Sequence, residues 1–311
     1  MSKLLITGGT GFYGKNVLQY IFSSEMLCSV YSEILIVTRH QPQDFLDQFQ
    51  AFKHPNITFY TSDVRTFEYA NTDIEYIMHL ATDASSVLND NHPDEMMDVI
   101  LNGTRNILSI AKRQKKIKSF LFASSGAVYG DAPNSIQNID ENDRFDLDFN
   151  NPKNAYAQAK RTAEMMCSIY REKYQIPVVI ARGFAFYGDY LPTDRHFAIA
   201  DFIKQVKENH KIVIKSDGKA RRSYLHSKEL AKSLIELLNA KFDKDYIFNI
   251  GSDEGKSLLE WANEIARNNG NAEVVVLNEP QKGYSAGNNY VPSIERLKKI
   301  VIFNHHKKIE I

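Results

Sequence analysis

Short apolar runs alternate with longer amphipathic stretches through roughly the first 180 residues of the chain. The runs are Leu4–Ile6, Ile34–Val37, Ile57–Tyr60, Tyr76–Leu80, Phe120–Ala123 and Val178–Ile180. Each is short and lacks polar alternation, the pattern of a strand buried on both faces. Between them, segments such as Pro93–Arg113 and Asn154–Tyr174 have the length and spacing of helices. Strand and helix in alternation predict an α/β fold, a doubly wound parallel sheet covered on both sides.

After Arg182 the rhythm changes. Residues 183–222 read as mixed loops with one helix near Phe197–Asn209. A helix over Lys228–Leu238 then leads to another apolar run, Tyr246–Phe248, and the tail from Gly251 holds the single tryptophan, Trp261. The pattern predicts a larger domain made of residues 1–182 and 223–252, and a smaller C-terminal lobe made of 183–222 and 253–311. Trp261 is expected in the core of that lobe.

Composition narrows the classes of function. Lysine plus arginine equals aspartate plus glutamate, 38 of each, so no net charge draws the protein to nucleic acid or to an acidic membrane. The basic run Lys112–Lys116 falls where a helix should end, and cations suit that end of the helix dipole. Cys28 and Cys167 belong to no metal-binding or disulfide pattern, so no metal is expected. Two free thiols fit a reducing compartment. No apolar run approaches the ~20 residues of a membrane span, and the first residues do not read as a signal peptide. The expectation is a cytoplasmic protein with no membrane or nucleic-acid partner.

Chemistry enters with Thr7-Gly8-Gly9-Thr10-Gly11-Phe12-Tyr13-Gly14, which follows the first strand and opens an amphipathic stretch. In that context Gly8 permits a tight turn, Gly11 lets backbone approach a pyrophosphate, and Gly14 lets the helix pack against the sheet. The free N–H groups and dipole of the new helix favour the phosphate charge. This is the dinucleotide-binding turn of a Rossmann fold, with Thr10, Phe12 and Tyr13 counted in the cofactor site. The second strand ends in Thr38-Arg39-His40, without the acid that binds the ribose hydroxyls of NAD(H). Arg39 therefore favours NADP(H) through the 2′-phosphate, with NAD(H) left open, since a solvated arginine at a strand end reads the same way. Asp63, after the third strand, is suited to the adenine amino group or to the N-cap of a following helix.

Tyr156 and Lys160 lie four residues apart in a predicted helix, which puts phenol and ammonium on one face. A nearby positive charge should lower the tyrosine pKa from about 10 and make Tyr156 a general acid/base. Tyr224 and Lys228 repeat the spacing, but only Tyr156 is preceded, about thirty residues earlier, by a buried strand ending in Ser124-Ser125-Gly126-Ala127-Val128-Tyr129-Gly130. Ser125 can hydrogen-bond the substrate oxygen that Tyr156 protonates. Arg222-Ser223-Tyr224-Leu225-His226 reads instead as a strand.

Together with His79-Leu80-Ala81, these motifs resemble the extended short-chain dehydrogenases/reductases, the NAD-dependent epimerase/dehydratase family, over nearly the whole chain. The resemblance implies a catalytic Ser125, Tyr156 and Lys160, with Lys160 also holding the nicotinamide ribose. It places Val64, Leu80 and Ala81 in the cofactor site, and Arg222 on the diphosphate of a nucleotide-diphosphate sugar. It also implies a homodimer formed through the helices of Asn102 and Tyr156. Two departures narrow the reaction. Where 4,6-dehydratases similar to this chain carry Asp-Glu, it has Gly126-Ala127, and where similar 4-epimerases carry asparagine it has Ala185. Hydride transfer at a sugar carbon, C4 foremost, by a 4-ketoreductase or an epimerase is the leading expectation. A 4,6-dehydratase and a non-catalytic NADP-binding regulator are the alternatives. Asp83 could face the substrate, and His196 and Phe197 could line the sugar pocket or start a helix.

Overall fold

The computed structural model describes residues 2–81, 86–133, 135–192, 198–278, 289–303 and 309. Asp83, His196 and Phe197 lie outside the described residues. In chain order the strands are β1 (Lys3–Thr7), β2 (Glu33–Thr38), β3 (Ile57–Thr61), β4 (Tyr76–His79), β5 (Ser119–Ser125), β6 (Val178–Gly183) and β7 (Phe186–Tyr187). They continue as β8 (Lys211–Ile214), β9 (Arg221–Arg222), β10 (Leu225–His226), β11 (Ile247–Ile250), β12 (Lys256–Ser257), β13 (Glu273–Val276) and β14 (Asn289–Tyr290). The α-helices are α1 (Phe12–Phe22), α2 (Glu25–Val30), α3 (Pro42–Gln48), α4 (Ser86–Asn91) and α5 (Pro93–Arg113). After these come α6 (Ala155–Tyr174), α7 (Ala198–Asn209), α8 (Ser227–Asn239) and α9 (Leu258–Asn268).

Seven strands form one parallel sheet in the order β11-β6-β5-β4-β1-β2-β3. This is the doubly wound Rossmann arrangement. The sequence order reverses between β1 and β4, and in such sheets a crevice opens there, beyond the carboxyl ends of the strands. One face is covered by α1 and α8, whose Val17, Leu18, Leu230 and Leu234 pack on Leu4, Ile6, Leu121 and Val179. The other is covered by α5 and α6, whose Ile100, Ile107, Ala159 and Ala163 pack on Leu5, Ile77, Phe120 and Ile180.

Local chemistry explains the helices. Pro93 starts α5, Asp94 and Glu95 sit in its first turn, and Lys112 and Arg113 in its last, matching the macrodipole at both ends. Ser257 and Glu260 close a capping box on α9. A third core gathers Ile199 and Phe202 of α7 with Trp261 and Ile265 of α9. Trp261 is buried there, as expected, and its Nε1 donates to the Arg222 carbonyl at 2.8 Å.

Three local expectations are corrected. β3 is not buried on both faces; it is the sheet edge, and Thr58 and Thr61 are exposed. Arg222–His226 is not one strand, because β9 and β10 belong to different sheets and buried Ser223 and Tyr224 bridge them. Asp63 caps no helix. Residues after it form a turn in which its Oδ1 accepts the Arg65 N–H at 2.8 Å.

Candidate active site

The glycine-rich turn is shaped by close contacts. Gly8 has φ +72°, and a Cβ there would lie 2.8 Å from the backbone nitrogen of Ala81, so glycine is required twice over. Leu80 and Ala81 wall the turn from β4: the Leu80 N–H donates to the Thr7 carbonyl at 3.1 Å and the Ala81 N–H to Thr7 Oγ1 at 3.2 Å. Gly14 presses on Gly9 rather than on the sheet, since its Cβ would lie 2.4 Å from the Gly9 backbone, and it is Gly9 that touches Ile36 of β2. Gly11 is exposed, and only the Gly8 carbonyl comes within 3.3 Å of where its Cβ would be. The first turn of α1 has no side-chain cap and no acid. An open backbone surface under uncapped N–H groups is the cradle an anion needs, so the residues present fit a dinucleotide.

Around it, Thr10 Oγ1 lies 3.4 Å from Thr38 Oγ1, and Phe12 and Tyr13 pack on Phe186. Arg39 is exposed at the end of β2. Asp63 is held by Arg65 through two guanidinium hydrogen bonds of 2.9 and 2.7 Å, and Arg65, with Arg39 beyond it, keeps its carboxyl below the usual range. Val64 turns its side chain into the core against Gly103 of α5, and its carbonyl accepts the Asn106 side-chain amide at 2.9 Å.

At the ends of β5 and β6 the catalytic candidates converge. Ser125 closes β5, and its Oγ accepts the Ala127 N–H at 3.1 Å. Tyr156, in the first turn of α6, has its phenol beside Ser125, near enough for the serine hydroxyl to favour the phenolate. Lys160, one turn on, is fully buried; its Nζ donates to the Ala123 carbonyl at 2.6 Å and lies 5.9 Å from the Tyr156 ring centre. The predicted acidification of Tyr156 is overturned. Burial raises its pKa above the ordinary value, and the neighbouring Ser125 hydroxyl opposes this only in part. Burial also pulls Lys160 down to about 7, against the pull of Glu164, so the cation meant to acidify the phenol is itself weakened.

The second Tyr/Lys pair is elsewhere: Tyr224 is buried edge-on against Trp261, with ring centres 5.4 Å apart. Arg222, on β9, donates to the Arg221 carbonyl at 2.7 Å and faces Tyr290 of β14, 5.9 Å from its ring centre. Tyr290 stands between Arg222 and Gly126. Its hydroxyl would stand 2.7 Å from a Cβ on Gly126, and its ring packs on Phe184 at 4.6 Å.

A sequence profile described as "NAD dependent epimerase/dehydratase family" matches residues 4–251. The chain belongs to that family. Its curated relatives include UDP-glucuronic acid decarboxylase 1 of Arabidopsis thaliana, 26% identical over 265 residues, which are 85% of this chain and 57% of that protein. UDP-glucuronic acid decarboxylase 1 of Danio rerio is 26% identical over 263 residues, 85% of this chain and 60% of that protein. The chain thus spans about six-tenths of the length of these relatives. Among solved structures, the UDP-N-acetylglucosamine 4-epimerase of Methanobrevibacter ruminantium superposes with a TM-score of 0.81 at 22% identity, covering 97% of this chain and 92% of that one. The UDP-glucuronic acid 4-epimerase of Bacillus cereus, solved with UDP-glucuronic acid and NAD, gives 0.77 at 21% identity, covering 96% and 92%. These likenesses establish the family's fold for this chain.

Two elements of the site were not singled out in the sequence. Glu164 continues the four-residue spacing from Tyr156 and Lys160, a signal that was there to be read. Tyr290 carries no local signal; it reaches Gly126 through the pairing of β14 with β9.

Proposed function

We propose that this family member is an NAD(P)-dependent enzyme that transfers hydride at a carbon, C4 foremost, of a nucleotide-diphosphate sugar. The observation that carries the reading is the meeting of Ser125 and Tyr156 at the end of β5, with Lys160 beneath them, beyond the same sheet edge as the glycine cradle. Gly8, Gly11, Thr10, Phe12 and the first turn of α1 would hold the dinucleotide, which supplies the hydride acceptor or donor. Tyr156 would move the proton of the sugar hydroxyl, with Ser125 on the same oxygen, and Lys160 would hold the nicotinamide ribose. Arg222 would grip the diphosphate of the substrate, a charge-assisted contact suited to guanidinium.

Arg39, exposed at the strand end where an acid would read NAD, supports NADP(H). The solved neighbour from Bacillus cereus carries NAD, so NAD(H) stays as the competing cofactor. Gly126 and Ala127 supply no acid pair for dehydration, and the Tyr290 phenol fills the space over Gly126. Met165 and Ile169, one turn apart on α6, are 62% and 48% exposed. They support a homodimer through the α5–α6 face. Free Cys28 and Cys167 support a cytoplasmic location, and no described helix is long and apolar enough to cross a membrane.

The deciding experiment follows NAD(P)H during incubation with a 4-keto nucleotide sugar. Oxidation that vanishes in Tyr156→Phe establishes a reductase. A tightly held NAD(H) with no net oxidation makes the protein an epimerase instead, and failure to bind either dinucleotide ends the whole reading.

A further inference from the structure

Two glycines at neighbouring strand ends have their missing side chains replaced by tyrosine hydroxyls. One is Gly126 under Tyr290. The other is Gly183, where a Cβ would lie 2.1 Å from the Tyr13 hydroxyl. Gly183 pairs directly with Ser125 across β5 and β6. Ala123 and Ala181, two residues earlier in each strand, both face the α1 side of the sheet. Side chains repeat every second residue, so Ser125 and Gly183 share that face, one strand spacing (about 4.8 Å) apart. The Tyr13 hydroxyl therefore sits beside Ser125, in the space Tyr156 overhangs.

The ring of Tyr13 is fixed by Phe186, edge-on at 5.4 Å, and by Phe12 at 5.9 Å. Its hydroxyl forms no hydrogen bond with any other described residue. Tyr13 is half-buried, so its hydroxyl keeps its hydrogen-bonding capacity available at the strand ends. Burial raises its pKa, and the Tyr156 and Tyr290 phenols add to this. Tyr13 also stands two residues beyond Gly11, in the first turn of α1. A dinucleotide with its diphosphate on that turn and its reacting ring under Tyr156 must pass over Tyr13.

We propose that the Tyr13 hydroxyl, seated on Gly183 beside Ser125, hydrogen-bonds the nicotinamide half of the bound dinucleotide. The inference rests on the dinucleotide reading given above and adds to it a side-chain contact that fixes the reacting ring. It makes Tyr13 and Gly183 a matched pair, since the hydroxyl needs the gap that glycine leaves.

The test compares ligands that differ only in nicotinamide. NADPH and NADH are titrated by calorimetry into the wild type and Tyr13→Phe, alongside 2′-phospho-ADP-ribose and ADP-ribose. Tyr13→Phe should weaken the nicotinamide-bearing ligands about fivefold to tenfold, the worth of one hydrogen bond, and leave the truncated ones within about twofold. Equal losses for both kinds, or no loss, overturn the proposal. A wild type that binds none of the four overturns the proposed function and this contact with it. The seat is checked separately by thermal unfolding. Gly183→Ala should lower Tm, and Tyr13→Phe combined with Gly183→Ala should recover it as the methyl takes the place of the hydroxyl. Absence of recovery shows that the two positions do not meet and removes the basis of the assignment.

Discussion

Arg182 holds Glu164 with two parallel hydrogen bonds, Nε to Oε1 at 2.9 Å and Nη2 to Oε2 at 2.6 Å, and both side chains are buried. Glu164 also accepts the Ser124 hydroxyl at 2.6 Å, and Arg182 Nη1 donates to the Tyr129 hydroxyl at 2.9 Å. One ion pair thus binds α6 to β5 and β6 directly behind Ser125 and Lys160. Removing one partner leaves a buried charge uncompensated, whereas replacing both does not. Glu164→Ala should cost about 3–5 kcal/mol in urea unfolding, and Glu164→Ala with Arg182→Met should regain much of it. A single-variant loss below about 1 kcal/mol would show the pair to be dispensable.

Tyr156→Phe keeps the ring and deletes the proposed proton carrier. Hydride transfer should fall about 10²- to 10⁴-fold while NAD(P)H affinity stays within about threefold. Single-turnover measurement of nicotinamide absorbance separates the two, and retention of near-normal turnover assigns the proton to another group.

Arg39 bears on the choice of cofactor. Arg39→Ala should weaken NADPH about tenfold or more, the loss of a charge-assisted contact, and leave NADH nearly unchanged. Equal effects on the two cofactors would make Arg39 a bystander at the strand end.

His79 is buried between Thr7 Oγ1 at 2.7 Å and Thr104 Oγ1 at 3.2 Å, and burial pushes its pKa down from 6.5 to about 3. The unfolded chain takes up this proton near pH 6.5, whereas the folded protein resists until about pH 3. Between those values the unfolded state binds more protons, so stability falls as the pH falls. In His79→Gln the acid slope should be shallower by up to one proton, about 1.4 kcal/mol per pH unit. Parallel wild-type and variant curves between pH 6.5 and pH 3 would show that His79 titrates normally in the fold.

What the sequence made legible is what repeats at short range. The six early apolar runs all became strands of the main sheet, and Pro93–Arg113 became α5 to the residue, because its proline and its charged ends mark both boundaries. The geometry of the candidate site was legible where it is local: the glycine turn, and Tyr156 one helical turn from Lys160. It failed where burial or distant chain decides. The phenol moved the opposite way because desolvation outweighs the help of Ser125, while burial weakens Lys160 as a cation. The packing of the Val64 side chain on Gly103, a helix away, had no local signal either. Tyr290 over Gly126 spans more than half the chain, and no spacing rule reaches that far.

The position of β11 beside β6 has a consequence for how the protein is made. β6 ends at Gly183, but its outer neighbour is supplied only by Ile247–Ile250. Emerging from the ribosome at about 5–20 residues per second, the chain presents β6 with an open edge for several seconds. An unpaired strand edge is a template for unwanted pairing. A nascent chain stalled or cleaved before Ile250 therefore leaves that edge of the sheet sticky as well as unfinished, and β11, the last strand of the main sheet to be made, acts as a seal applied late in synthesis.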